Sequence, residues 1–254
     1  MGGIERELPS LYHNLKALPG TQGLIVTDKL VDTNIRQVKL AQGFDYLGFQ
    51  DYLVYCLFQH IETEYALICQ SDGWILNADN WKDEWFQYDY IGGYTHAALC
   101  DDGNYYVHYN WIGKGNPMVV QNGGFSLRSR RFLEAPTKYG IVKHQLTNPM
   151  LNNEDIQLCC WMRPALEAVG MKYAPEAESK LFSFEHLSPI IHKDVDLTKV
   201  FGQHSRFRRL TGEKKMDWHL SDELMQVIPM EDQVYRLFEH YGYEICKKSE
   251  PKPN

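Results

Sequence analysis

The clearest hydrophobic period in the chain lies in its second half. Apolar residues recur at helical spacing from Leu158 to Val169, and polar or charged residues separate them. Asn152 or Asn153 can cap the first turn of this segment, and Gly170 follows its last apolar position. The pattern therefore predicts a helix between these boundaries.

Apolar runs and helical periods alternate along much of the remaining chain. The pattern predicts helices over residues 5–18, 49–61, 126–133 and 231–241, and strands over residues 23–28, 36–41, 65–69, 104–109 and 118–121. Residues 78–93 are aromatic and acidic without a clear period, which is typical of loops around a pocket. The alternation predicts an α/β fold in which a mixed sheet is flanked by helices.

Length and composition agree with a globular protein. At 254 residues, with 44% hydrophobic and 23% charged residues, the chain can bury a full core, and we expect one domain over residues 1–245 followed by a flexible tail over 246–254. No apolar stretch is long enough to predict a membrane span or a signal peptide, so we expect a cytoplasmic protein, with peripheral contact to a membrane still compatible with the sequence.

Charge and cysteine content limit the classes of function. The 33 acidic residues exceed the 26 basic ones, which gives a net charge of −7 and argues against a nucleic-acid partner. Six cysteines without a metal-binding spacing are expected to be reduced thiols. Two arginine clusters, over residues 128–131 and 206–209, are expected to be mostly solvated.

A carboxylate follows the apolar run over residues 65–69. Gln70, Ser71, Asp72 and Gly73 end this run abruptly. Asp before Gly is a common turn sequence, so Asp72 could serve the turn alone. At the carboxyl end of a buried strand, however, a carboxylate is also well placed to bind a ligand.

Several segments together carry a family resemblance. In chain order they are residues 61–77 (IETEYALICQSDGWILN), 88–93 (YDYIGG), 122–130 (NGGFSLRSR), 154–155 (ED), 182–185 (FSFE) and 201–204 (FGQH). From about residue 10 to residue 205, the chain resembles a family of uncharacterised, glycosyltransferase-like proteins related to GT-A nucleotide-sugar transferases. The resemblance implies a GT-A-like, Rossmann-like fold and a role in polysaccharide biosynthesis.

The resemblance also implies a divalent cation, Mn²⁺ or Mg²⁺, bound against the donor diphosphate. GT-A enzymes usually carry Asp-x-Asp after a buried strand, whereas this chain has Gln70-Ser71-Asp72 there and so lacks one carboxylate. Asp72 is the expected metal ligand and His204 the expected second ligand, although an ordinary histidine is an equally good explanation of His204. Gln70, Ser71 and Gly73 are expected beside Asp72 in the donor site.

The remaining site residues come from the same resemblance. Asp155, with Glu154 second, is the expected general base that takes the proton of an acceptor hydroxyl. Acidic residues in a first helical turn also favour the helix dipole, so a purely structural role is open for both. The other expected donor- or acceptor-binding residues are Asp89, Asn122, Gly123, Gly124 and Arg128.

The resemblance predicts transfer of a sugar from a nucleotide-diphosphate sugar donor to a carbohydrate or glycolipid acceptor. It also predicts that Asp72, the Gly123-Gly124 turn and Asp155 lie at one cleft. GT-A domains open with a nucleotide-binding strand, but the first residues here carry no strand pattern, so we expect that strand to be missing. The alternative is a non-catalytic glycan- or nucleotide-binding domain with a degenerate GT-A fold.

Overall fold

The computed structural model describes residues 4–248. The helices are α1 (Leu8–Ala17), α2 (Tyr46–Tyr55), α3 (Arg130–Tyr139), α4 (Glu154–Ile156), α5 (Arg163–Ala168), α6 (Glu176–Phe182), α7 (Asp222–Val227) and α8 (Glu231–His240). The strands are β1 (Leu24–Thr27), β2 (Arg36–Lys39), β3 (Tyr65–Cys69), β4 (Gly73–Ile75), β5 (Tyr90–Leu99), β6 (Tyr105–Tyr106), β7 (Met118–Ser129), β8 (Ser183–Phe184), β9 (Gly202–His204), β10 (Arg208–Gly212), β11 (Lys215–Trp218) and β12 (Glu244–Lys247).

Helices and strands are mixed along these residues, which confirms the predicted α/β class. The strands of the described residues form four sheets of two to four strands each, where we predicted one mixed sheet. The chain divides into two compact units. Unit 1 contains the residues up to 39, residues 69–81 and the residues from 180 onward, and unit 2 contains residues 40–68 and 82–179.

Unit 1 holds three small sheets. In the first, β1 and β2 pair in parallel. In the second, β9 lies between β4, to which it is antiparallel, and β8, to which it is parallel. In the third, β11 lies between β10 and β12. A core of aromatic and aliphatic residues, including Trp74, Phe184, Trp218 and Phe238, fills this unit. The predicted tail begins within β12, which ends at Lys247, and its residues 249–254 lie outside the described residues.

Unit 2 is built on a four-stranded sheet in the order β3-β7-β5-β6. Its core joins residues of α2, β5, β7, α3 and the helical segment after residue 153. β5 and β7 are antiparallel, and Gly92 faces Ser126 whereas Tyr94 faces Gln121. Residues 122–125 of β7 therefore form a bulge, which turns the strand locally out of its register.

Two predicted elements are wrong in ways that affect the site. The helix that we expected to begin at Ser126 begins at Arg130, and Ser129 caps it by accepting a hydrogen bond from Phe132 N. The Gly123-Gly124 segment is consequently a bulge inside β7 and not a turn between a strand and a helix. Nearly every residue of β7 is buried, so the strand shows no alternation by which its length could be predicted.

The helix predicted after Asn153 is confirmed but not regular. A π-helical segment, Gln157–Trp161, separates α4 from α5, and Gly170 follows with the positive φ of 86° that suits glycine. Residues 78–93, predicted as loops, contain two 3₁₀ turns and the start of β5. No helix in residues 4–248 combines the length and the apolar character needed to cross a bilayer.

Candidate functional site

The turn between β3 and β4 positions the predicted metal-binding residues of unit 1. Gly73 N donates to Gln70 O at 3.0 Å, which closes a tight turn through Ser71 and Asp72. β4 then pairs with β9, and this pairing sets Gly73 opposite His204. The pairing of β4 with β9 thereby makes neighbours of two residues that are 131 positions apart in the chain. The turn explanation and the ligand-binding explanation of Asp72 are compatible.

Three polar atoms gather at the end of this turn. His204 Nε2 lies 3.2 Å from Asp72 Oδ1 and 3.4 Å from Gln70 Oε1. The side chains of His204 and Asp72 keep 11% and 16% of their surface exposed, so they are shielded but reachable from solvent. One imidazole nitrogen thus faces two oxygen atoms from the same turn.

Additional carboxylates surround this pair within unit 1. Glu185 Oε1 lies 3.9 Å from His204 Nδ1 and 3.8 Å from His186 Nε2. Burial and the nearby Asp72 raise the pKa of Glu7, against hydrogen bonds from Ser71 that lower it. The negative charge of Asp72 therefore makes ionisation of Glu7 less favourable.

The protonation state of Asp72 follows from these neighbours. Burial alone would raise the pKa of Asp72. The interaction of Asp72 with His204 lowers this pKa and outweighs burial, and Arg208 adds to the lowering. The net effect is an Asp72 pKa below its ordinary value, so this side chain is a carboxylate at neutral pH.

The donor atoms at the turn have the chemistry of a hard-cation site. Ligands bound side by side to an octahedral Mg²⁺ at about 2.1 Å are themselves about 3 Å apart, close to the separations found here. Among the described residues no group of three or more His, Cys, Asp and Glu side chains is arranged to hold a metal. The amide oxygen of Gln70 is the third polar atom at this turn, and amide oxygens are ordinary ligands of hard cations.

A second cluster lies in unit 2, where the bulge of β7 meets the start of α4. Gly123 N donates to Asp155 Oδ2 at 3.3 Å, and a Cβ atom on Gly123 would stand 2.0 Å from Glu154 Oε1. The expected proximity of Gly123 to the two acidic residues is therefore observed. Asp72, which we expected at the same cleft, belongs to unit 1.

Glu154 and Asp155 have different environments. Glu154 is buried, its carboxylate accepts from Arg128 Nη2 at 2.6 Å, and its backbone N–H donates to Gln50 Oε1 at 2.8 Å. Asp155 is only half-buried, and its Oδ1 accepts from Ile156 N at 2.8 Å. Of the two, Asp155 has the accessibility that a general base needs.

Arg128, expected to bind the donor or acceptor within a cluster of mostly solvated arginines, is completely buried. Its guanidinium lies 4.8 Å from the ring centroid of Tyr90 and also bonds Ser126 Oγ and Gly123 O. The ion pair with Glu154 explains the burial, because an unpaired charge there would be very costly. Arg128 thus links Glu154 to the bulge. In unit 1, Arg208 was expected in solvent. It is likewise completely buried, and it forms an ion pair with buried Glu231 at 2.7 Å.

Asp89 and Asn122 serve the local structure around β5 and β7. Asp89 is buried and accepts from Ser129 Oγ and Arg131 Nε, both at 2.6 Å, and from Lys172 N at 2.9 Å. Asn122 Oδ1 accepts from Phe125 N at 3.2 Å inside the bulge. The oxygen atoms of Asp89 are therefore engaged by protein donors.

Sequence reasoning missed several residues that shape these clusters. Gln50, Gln203 and Glu231 are fully or almost fully buried polar residues in contact with expected site residues or with their anchors. Tyr46 lies on the solvent side, donates to Asn153 Oδ1 at 2.7 Å, and has a pKa raised by burial and by Asp155. A lone Gln, Glu or Tyr carries no sequence pattern that would single it out.

Residues 52–204 match the sequence model of a family described as "Protein of unknown function (DUF5672)". The match covers more than half of the chain, and the chain therefore belongs to this family. It includes both the turn around Asp72 and the bulge around Gly123. No curated protein matches the chain, and no solved structure matches it.

Proposed function

We propose that this member of the DUF5672 family is a metal-assisted glycosyltransferase that moves a sugar from a nucleotide-diphosphate sugar to a carbohydrate or glycolipid acceptor. The observation that carries the proposal is that Asp72 Oδ1 and Gln70 Oε1 both lie within 3.4 Å of His204 Nε2 at the end of a strand. The proposal includes the finer expectations of a GT-A-like fold and a cytoplasmic enzyme.

In this proposal, Asp72 and His204 hold Mn²⁺ or Mg²⁺, with Gln70 as an additional oxygen ligand. The bound cation would neutralise charge on the leaving diphosphate. The carboxylate of Asp72 is ionised at neutral pH, which suits a ligand of a hard cation. Ser71 and Gly73, which are both buried, shape the turn on either side of Asp72.

Asp155 takes the role of general base. The acceptor hydroxyl oxygen forms a bond to the anomeric carbon of the donor, the bond from that carbon to the diphosphate breaks, and the hydroxyl proton passes to Asp155. Glu154 does not compete for this role, because Arg128 already engages its carboxylate in a buried ion pair. Arg128 and Glu154 instead fix Gly123 and the first turn of α4.

A direct binding experiment tests the cation and donor part of the proposal. Isothermal titration with a panel of nucleoside diphosphates should give binding that requires Mn²⁺. Asp72→Ala should weaken that binding at least about tenfold. Asp79→Ala, a nearby exposed aspartate in the same unit, is the matched control and should bind like the wild type. Absence of binding across the whole panel, with and without Mn²⁺, would refute the proposal.

The non-catalytic alternative has one observation in its favour. Both carboxylate oxygens of Asp155 accept backbone N–H groups, from Gly123 and Ile156, as they would in a purely structural cap. Donor hydrolysis and transfer assays discriminate between the two functions. Turnover that disappears in Asp155→Asn rejects the binding-only function, and donor binding without any turnover rejects the enzyme.

A further inference from the structure

A continuous chain of buried hydrogen bonds reaches the Asp72 turn from the core of unit 1. The carbonyl oxygen of Asp72 accepts from Gln203 Nε2 and from Ser205 N, both at 3.0 Å. Gln203 Oε1 in turn accepts from Arg208 Nε at 3.2 Å, and Arg208 Nη1 donates to Glu231 Oε2 at 2.7 Å. These contacts link Glu231, Arg208, Gln203 and Asp72 in that order.

The chemistry of the chain fixes the orientation of the Gln203 amide. Arg208 has only donors, so the oxygen of the amide must face Arg208 and the NH₂ group must face the Asp72 carbonyl. A flipped amide would set its NH₂ group against the guanidinium and its oxygen against a carbonyl oxygen. Gln203 is therefore a donor to Asp72 in one orientation only.

Arg208 itself has little freedom to move. Its side chain has no exposed surface, nor has that of Glu231, and its guanidinium carbon lies 5.2 Å from the ring centroid of Trp218 and 5.8 Å from that of Phe238. Its Nη2 also donates to Glu185 O at 3.4 Å. The arginine is thus held on several sides by unit 1.

We propose that Gln203, anchored by the Arg208–Glu231 ion pair, is a positioning residue that fixes the turn of Asp72 so that the carboxylate of Asp72 faces His204. Gln203 lies one residue before His204 on β9, so the same strand supplies the imidazole and the donor that holds its partner. The positional claim stands on the geometry of unit 1. Its consequence for metal affinity rests on the proposed function.

The test replaces Gln203 by Met, which has a similar volume and no amide. The control is Val234→Ala, which removes buried volume from the same core without touching the chain of hydrogen bonds. Crystal structures of both variants then give the distance from Asp72 Oδ1 to His204 Nε2, which is 3.2 Å here. Gln203→Met should lengthen this distance beyond hydrogen-bond range, whereas Val234→Ala should leave it unchanged.

An unchanged distance between these two atoms in Gln203→Met, or an equal increase in Val234→Ala, overturns the proposal. If Gln203→Met fails to fold, Gln203→Asn serves instead, since the shorter amide cannot bridge Arg208 and Asp72. Mn²⁺ titration of the same variants gives a second readout, with an expected loss of affinity of about 10- to 100-fold in Gln203→Met. A lengthened Asp72–His204 distance in Gln203→Met, together with a wild-type protein that never binds Mn²⁺, would uphold the positioning role and count against the proposed function.

Discussion

Gly123 and Glu154 approach each other so closely that no side chain fits between them. A Cβ atom at position 123 would lie 2.0 Å from Glu154 Oε1 and 2.8 Å from Arg128 Nη2. Both of these atoms belong to a buried ion pair, so neither can move aside at low cost. Position 123 requires glycine because there is no room for a side chain. Backbone conformation is not the reason, since the φ of Gly123 is not in the left-handed region.

We therefore predict that Gly123→Ala lowers the free energy of unfolding by about 1 to 3 kcal/mol, the usual cost of overpacking a buried site. Urea denaturation measures the change. Gly212→Ala is the control, because its nearest atom, Lys215 Cβ, would lie at an ordinary 3.8 Å, and this variant should stay within about 0.5 kcal/mol of the wild type. Equal stability of the two variants would contradict the packing described for Gly123.

The two adjacent acids should respond differently to loss of charge. Glu154→Gln leaves the guanidinium of Arg128 buried without its counter-charge, and we expect a loss of about 3 to 5 kcal/mol in stability. Asp155→Asn removes a half-exposed carboxylate and should cost about 1 kcal/mol. If Asp155 is the general base, its variant should instead lose about 10²- to 10⁴-fold in transfer rate.

Chemical denaturation and a transfer assay on both variants check this contrast. Conversion of Glu134, a partly exposed acid on α3, to Gln provides a control that should change neither quantity appreciably. A greater loss of stability in Asp155→Asn than in Glu154→Gln would show that the roles of the two acids have been exchanged.

A buried histidine should give unit 1 a measurable dependence on pH. His192 is 1% exposed, and its Nδ1 accepts from Ser188 N at 3.1 Å, which assigns a neutral ring. Burial, helped by Lys180, lowers the pKa of His192 from 6.5 to about 4. The unfolded chain takes up this proton at higher pH than the folded protein does, so stability is complete above pH 6.5 and falls as the pH drops toward 4.

Between pH 7 and pH 5 the contribution of His192 should fall by about 2 kcal/mol. His192→Asn keeps an acceptor for Ser188 N but cannot titrate, so the loss of stability over this range should be smaller by that amount. Val195→Ala, which shortens a partly buried apolar side chain of unit 1 and removes no titratable group, should keep the pH dependence of the wild type. Denaturation curves at pH 7 and pH 5 measure this difference. An equal loss of stability between these two pH values in His192→Asn and in the wild type would contradict the assignment.

A helix with one buried face can be predicted from its sequence period. In α8, Val234, Leu237 and Phe238 are buried at helical spacing, and the sequence period reports this directly. In β7 nearly every position is buried, so alternation is absent and the strand was predicted to end at residue 121 instead of Ser129. The bulge depends on its pairing with β5, which no local pattern encodes.

Part of the spatial arrangement in unit 2 was predictable, but its charge pairing was not. The resemblance singled out Gly123, Glu154 and Asp155 together, and these residues do meet. It could not reveal which acid pairs with Arg128. Arg208 was expected in solvent because its partner, Glu231, follows 23 positions later and only the folded chain brings the two together.

The most direct test of the account is release of nucleoside diphosphate from a panel of nucleotide sugars in the presence of a mixed carbohydrate acceptor pool. We predict release that requires Mn²⁺ or Mg²⁺ and disappears in both Asp72→Ala and Asp155→Asn, while Asp79→Ala retains it. No release from any donor, or release that persists undiminished in both variants, would contradict the assignment of these two carboxylates to a glycosyl transfer reaction.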